Sequence, residues 1–132
     1  MIALARCATS DRIVVAGAKS VEIVFDLQRR GFARTAASAN CGRPAGQYDV
    51  ALVDWRQRTF QALETTLEWL ADFLSPAGVV VVWVDSQKPA GMLSLRTALE
   101  RRGFSVDEER RRDDGCLVSA RRSGVRLLPK AA

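Results

Sequence analysis

The sequence predicts an α/β domain, a three-layer sandwich with a mostly parallel sheet and a C-terminal antiparallel hairpin, and three observations predict it. The runs Asp49–Asp54 and Val79–Val84 are apolar at consecutive positions, the pattern of strands buried on both faces of a parallel sheet. Stretches with apolar residues three and four apart follow each strand candidate. The last extended pieces, Phe104–Glu109 and Cys116–Ala120, flank Asp113-Asp114-Gly115, a turn sequence between antiparallel neighbours. Strands alternating with helices argue for parallel pairing with right-handed crossovers.

Arg12–Ala16 is a β-branched run that ends at Gly17, and it reads as the first strand. From Ser20 to Arg30, Val21, Val24, Phe25 and Leu27 recur at near-helical spacing. Ser20 is expected to cap this helix, Gly31 to occupy the left-handed position past its end, and Arg29 and Arg30 to complement its carbonyl end. Ala33–Ser38 is a second extended piece, and Ala39–Gln47, with Asn40, Gly42, Pro44 and Gly46, is loop. Asp49–Asp54 follows as a buried strand. Over Thr59–Leu74, Phe60, Leu63, Leu67, Leu70 and Leu74 form one helical stripe, ended by the turn Ser75-Pro76-Ala77-Gly78. Val79–Val84 is the central strand. Pro89 suits the first turn of another helix that points Met92, Leu95 and Leu99 inward, and Gly103-Phe104 repeats the stop used at Gly31-Phe32.

The 132 residues suffice for one core, expected over 1–122 and followed by a basic tail at 123–132. Arg110, Arg111 and Arg112 stand among five carboxylates, so the positive excess is mostly C-terminal, with Arg121, Arg122, Arg126 and Lys130 as an unopposed basic tail. Four such cations are a weak footprint for nucleic acid, which is not expected as a partner. The composition suits a soluble domain without a membrane span or secretory leader, hence a cytoplasmic one. Cys7, Cys41 and Cys116 form no metal or disulfide pattern, and no metal site is expected. The chain has no histidine, which removes the nucleophile systems and zinc sites that depend on imidazole.

Ligands of such sheets sit beyond the carboxyl ends of the strands, here Ala16–Ser20, Asp54–Arg58 and Asp85–Lys88. Asp54 and Asp85 are the candidate catalytic groups: two carboxylates at neighbouring strand ends can act as a base, and each also serves simply to leave a strand and cap a helix. Trp55 can stack on a flat ligand, Trp83 reads as core, and Trp69 as a partly exposed dimer contact.

Tyr48-Asp49-Val50-Ala51-Leu52-Val53-Asp54 resembles the fourth strand of class I S-adenosylmethionine-dependent methyltransferases. Leu74-Ser75-Pro76-Ala77-Gly78 and the valines after it resemble that family's turn into its fifth strand. The resemblance is best over Tyr48–Arg122. It implies a cofactor site formed by Gly17, Ala18, Lys19 and Ser38. The family's loop after the first strand holds several glycines and an acidic residue, whereas Ala16-Gly17-Ala18-Lys19 has one glycine and a lysine. The family's ribose-binding carboxylate is replaced by Ser38 or Asn40, and the nine residues Ala39–Gln47 leave no room for its third strand and helix. The expectation is therefore a truncated methyltransferase-like fold with a degenerate cofactor site, serving as a non-catalytic binding or assembly module that dimerises through an exposed helix or sheet edge. The alternative is a working S-adenosylmethionine-dependent methyltransferase. The first half also resembles a receiver domain, with Asp54 at the phosphorylated position and Lys88 as its sensor, but with Ala16-Gly17 where the magnesium-binding acidic pair belongs. That reading requires Phe104–Arg122 to be a last helix.

Overall fold

The computed structural model describes residues 7–17, 19–37, 48–56, 59–85, 89–112 and 115–122. In chain order these form β1 (Ile13–Gly17), α1 (Ser20–Arg29), β2 (Thr35–Ala37), β3 (Tyr48–Asp54), α2 (Phe60–Phe73), β4 (Leu74–Val84), α3 (Pro89–Arg101), β5 (Phe104–Arg112) and β6 (Gly115–Arg122). They build one six-stranded sheet in the order β2-β1-β3-β4-β6-β5. The pairs β1–β2, β1–β3 and β3–β4 are parallel, and β4–β6 and β5–β6 antiparallel, so the sheet is mixed. The hairpin at its end overturns the receiver-like reading, since no helix occupies Phe104–Arg122.

Alternation along the strands divides the core in two. Val14 and Ala16 of β1, Ala51 and Val53 of β3, and Val80 and Val82 of β4 pack with Leu63, Leu67 and Leu70 of α2 and Leu95 and Leu99 of α3. Their neighbours Ile13, Val15, Val50, Leu52, Val79 and Val81 pack with Leu27 of α1 and with Phe32. Each central strand is therefore apolar throughout because both of its faces are covered, and Val14, Val53, Val80, Val81 and Val82 are fully buried.

Several boundaries differ from expectation for local reasons. Ser20 is the first residue of α1 and not its cap; Lys19 precedes it without a side-chain capping bond. The cap at α2 is side-chain mediated: Thr59 Oγ1 accepts from the Ala62 N–H at 3.2 Å. Ser75-Pro76-Ala77-Gly78 is not a turn before the strand but an excursion within β4, because Leu74 already pairs with Tyr48 and the ladder resumes at Val79 opposite Val50. Arg110, Arg111 and Arg112 lie in β5 itself, so the hairpin is longer than its sequence pattern suggests. Gly31 and Gly103 do hold left-handed backbone, with φ of 97° and 89°.

The charge reading is corrected as well. Arg121 and Arg122 belong to β6. Arg121 pairs with Asp107 at 3.1 Å, and Arg122 donates to the carbonyl oxygens of Ala71 and Leu74 at the end of α2. Neither is part of an unopposed tail; Arg126 and Lys130 lie outside the described residues. Cys7 and Cys116 are free thiols, and burial next to Asp11 pushes Cys7 up to about 11. No helix among the described residues is long and apolar enough to cross a membrane.

Candidate functional site

The strand order reverses between β2 and β3 on either side of β1, so the switch point, where sheets of this kind form their ligand crevice, lies at the carboxyl ends of β1 and β3. Gly17 ends β1 there, opposite Asp54 and with φ of 111°. A Cβ at Gly17 would run into the Asp54 carbonyl oxygen, so this glycine is required by the strand pairing itself.

Asp54 closes β3 and is 3% exposed. Its carboxylate is gripped in a fork by Arg56, whose Nε donates to Oδ1 and Nη2 to Oδ2, both at 2.9 Å. Burial by itself would push the Asp54 carboxyl up; the Arg56 hydrogen bonds and charge, helped by Lys19, outweigh it and hold the carboxyl below its ordinary value. The guanidinium lies over Trp83, its Cζ 3.3 Å from the ring centroid. Trp83 is half-buried, packed against the core on the α1 side and covered by Arg56, and its indole N–H has no hydrogen-bond partner among the described residues. Asp54 does not cap the next helix, a task that falls to Thr59. Sequence reasoning missed Arg56 as the carboxylate's partner. The only signal was its place two residues after Asp54, the spacing that returns a side chain to the same face of an extended chain.

Trp55 points the other way, into the core shared with α2 and α3. Its Nε1 donates to the Thr59 carbonyl at 2.8 Å, which fixes the indole beside the start of α2. There a pocket of about 250 Å³ opens between the two helices, walled by Trp55, Phe60, Leu63 and Val84, with Gly91 and Leu95 of α3 on the far side and Asp85 lining it as well. Asp85 is exposed at the end of β4.

The structure thus puts Gly17, Asp54 and Arg56 together and places Asp85 one strand away, at the pocket. Lys19 stands at the start of α1. Ala18, Ser38, Asn40, Cys41 and Lys88 lie outside the described residues. Among those described, no group of three acidic or cysteine side chains could hold a metal ion. Trp69 packs edge-on against Phe73, with centroids 5.1 Å apart.

No family model and no curated protein matches the chain. Solved structures do. An S-adenosylmethionine-dependent methyltransferase from Aquifex aeolicus superimposes with a TM-score of 0.63 at 12% identity, covering 87% of this chain and 85% of that one. The ribosomal protein L11 methylase from Lactobacillus delbrueckii subsp. bulgaricus gives 0.62 at 14% identity, over 93% and 76%. The Burkholderia thailandensis 1,6-didemethyltoxoflavin-N1-methyltransferase, solved with 1,6-didemethyltoxoflavin and S-adenosylhomocysteine, gives 0.59 at 15% identity, over 86% and 72%. At these identities the likeness establishes the fold: the chain has a class I methyltransferase-like fold.

Proposed function

We propose that the chain is a small S-adenosylmethionine-dependent methyltransferase domain, acting on a substrate that its sequence does not name. The observation that carries this reading is the strand reversal around β1, which sets the ends of β1 and β3 side by side at the switch point of a methyltransferase-like fold. The reading treats residues 1–122 as one intracellular three-layer sandwich with a reduced set of strands, and 123–132 as a basic tail.

The residues present fit the cofactor in part. Backbone at Gly17 and the ammonium of Lys19 suit its carboxylate end, and Ala18 and Ser38 complete the candidate set. The cofactor, when bound, supplies an electrophilic methyl group. The chain's own contribution is to orient the acceptor and take up its proton. Asp54 is a poor base for that purpose, since Arg56 stabilises its ionised form. Asp85, exposed after the neighbouring strand, is the other candidate carboxylate.

Calorimetric titration with S-adenosylmethionine tests the reading. Gly17→Val is unsuitable as the control, because the Asp54 backbone leaves no room for a side chain and loss of binding would report misfolding. Lys19→Glu is the better one. Micromolar binding that this variant weakens at unchanged circular dichroism supports the assignment.

A second reading, a non-catalytic binding or assembly module, is favoured by one specific observation: the carboxylate at the crevice is already paired with Arg56. It predicts no cofactor heat at millimolar concentration. It also predicts a dimer by light scattering that a charge at Trp69 dissociates.

A further inference from the structure

We infer that the outer edge of β5 pairs antiparallel with β5 of a second copy of this chain, about a twofold axis at Arg110, so that the two sheets join into one. The inference is independent of methyl transfer and of Trp69: it concerns the sheet edge opposite β2, away from the switch point and from α2.

Among the described residues β5 has β6 on one side and no strand on the other. The opposite edge strand, β2, is three residues long, whereas β5 is nine, and an open strand of that length presents a row of backbone donors and acceptors that another strand can complete. The register with β6 shifts between Val106 and Glu108, so residues 108–112 form the regular stretch. Only two residues separate the partners Arg112 and Gly115, the spacing of a tight hairpin in which Arg112, Arg110 and Glu108 direct their backbone groups to β6. Glu109 and Arg111 therefore turn theirs outward. Their β6 partners, Val118 and Cys116, belong to the core under α2 and α3, which puts both side chains on the α3 face of the sheet.

Charges blunt many sheet edges, and here their order selects the partner. The stretch reads Glu108-Glu109-Arg110-Arg111-Arg112, acids before bases, so an in-register parallel copy sets like against like and an antiparallel copy sets acid against base. A twofold axis keeps each face of the sheet on its own side, so opposed residues lie an even number of positions apart. Centring it on Glu109 puts two carboxylates on the axis and carries Arg111 to the irregular Asp107, and centring it on Arg111 opposes Arg110 to Arg112. Centring it on Arg110 sets Glu109 against the second copy's Arg111 twice, in the pairs that exchange backbone bonds, and Glu108 against the second copy's Arg112 twice. The two Arg110 side chains on the axis are each countered by Glu108 of their own chain, at 2.8 Å. Glu109 accepts from Arg96 of α3 through one oxygen of a carboxylate that can serve two guanidiniums, and Arg111 and Arg112 make no ion pair with the described residues. Leu93, one turn before Arg96 on the same face of α3, is 62% exposed, and joining the sheets brings this apolar side chain of both copies to one face of the seam.

Sedimentation velocity on the full chain from micromolar to millimolar concentration tests the contact, with circular dichroism confirming the fold of each variant. A seam this short belongs with the weak interfaces, so the parent should show a monomer–dimer equilibrium that high salt shifts toward monomer. Glu109→Arg and Arg111→Glu each set like charges opposite one another at both symmetric positions and should weaken dimerisation by about tenfold or more. Mixed in equal amounts, the two variants present two bases on one chain and two acids on the other, and the mixture should recover the parent's association to within about threefold. A parent that stays monomeric at millimolar concentration, a dimer that Trp69→Glu dissociates and neither reversal affects, or reversed variants that do not rescue each other would each overturn the assignment.

Discussion

Removing Arg56 exposes how the crevice is held. Two bonds of 2.9 Å join it to a carboxylate that is 3% exposed, and its own side chain is 25% exposed. Charges about 4 Å apart attract by roughly 4 kcal/mol at an effective dielectric near 20. The burial of the Asp54 carboxylate offsets about half of that, and the Trp83 contact restores about 1 kcal/mol. Arg56→Ala should therefore cost about 3 kcal/mol at pH 7, most of it from a buried carboxylate left without a partner. The sign with pH follows from the direction of the shift. In the parent chain the Asp54 pKa is depressed on folding, so the pair's contribution is present above the unfolded value near 4 and is lost as pH falls through the lower folded value. In Arg56→Ala only Lys19 and the residue-56 backbone N–H still oppose burial, so that pKa rises relative to the parent, and the variant's deficit is largest at neutral pH and shrinks as pH falls through about 4. Urea unfolding of the parent, Arg56→Ala, Asp54→Asn and the double variant at pH 7 and pH 4 reads both effects. A cost under about 0.5 kcal/mol, a deficit independent of pH, or additive single variants would refute the reasoning.

Other substitutions test the packing. Gly17→Ala meets the Asp54 carbonyl and should unfold the chain or cost more than about 3 kcal/mol, whereas Gly103→Ala, with nothing within 4 Å of the new Cβ, should cost only the left-handed backbone strain of about 1 kcal/mol. Thermal melts of the two separate steric from conformational loss. Leu67→Ala, at a fully buried site of α2, should cost about 3 kcal/mol in urea unfolding, by lost transfer energy and the cavity left behind. Thr59→Ala removes the side-chain cap of α2 and should cost about 1 kcal/mol, with the loss of helix signal confined to its first turn.

The elements were legible where a local period sufficed. Val50–Val53 and Val79–Val84 can only be covered strands, Leu63, Leu67 and Leu70 can only be one face of a helix, and Gly31 and Gly103 end helices because each can take positive φ. Ser20 and Ser75–Gly78 misled because the residue types that cap and turn also occur one position inside an element. The candidate site was legible only as a set of strand ends. That Asp54 and Asp85 end neighbouring strands follows from the chain alternation, but nothing local indicates that Arg56 grips Asp54.

What the sequence alone determined is therefore the identity and order of the elements, their buried faces and the absence of imidazole chemistry, all of which depend on residues within a few positions of each other. Tertiary structure decided the rest: the placement of β6 between β4 and β5, the close approach at Gly17, the Asp54–Arg56–Trp83 stack and the pocket shared by α2 and α3. These arise from crossovers and register, which bring together side chains distant along the chain and set how much water each charge keeps.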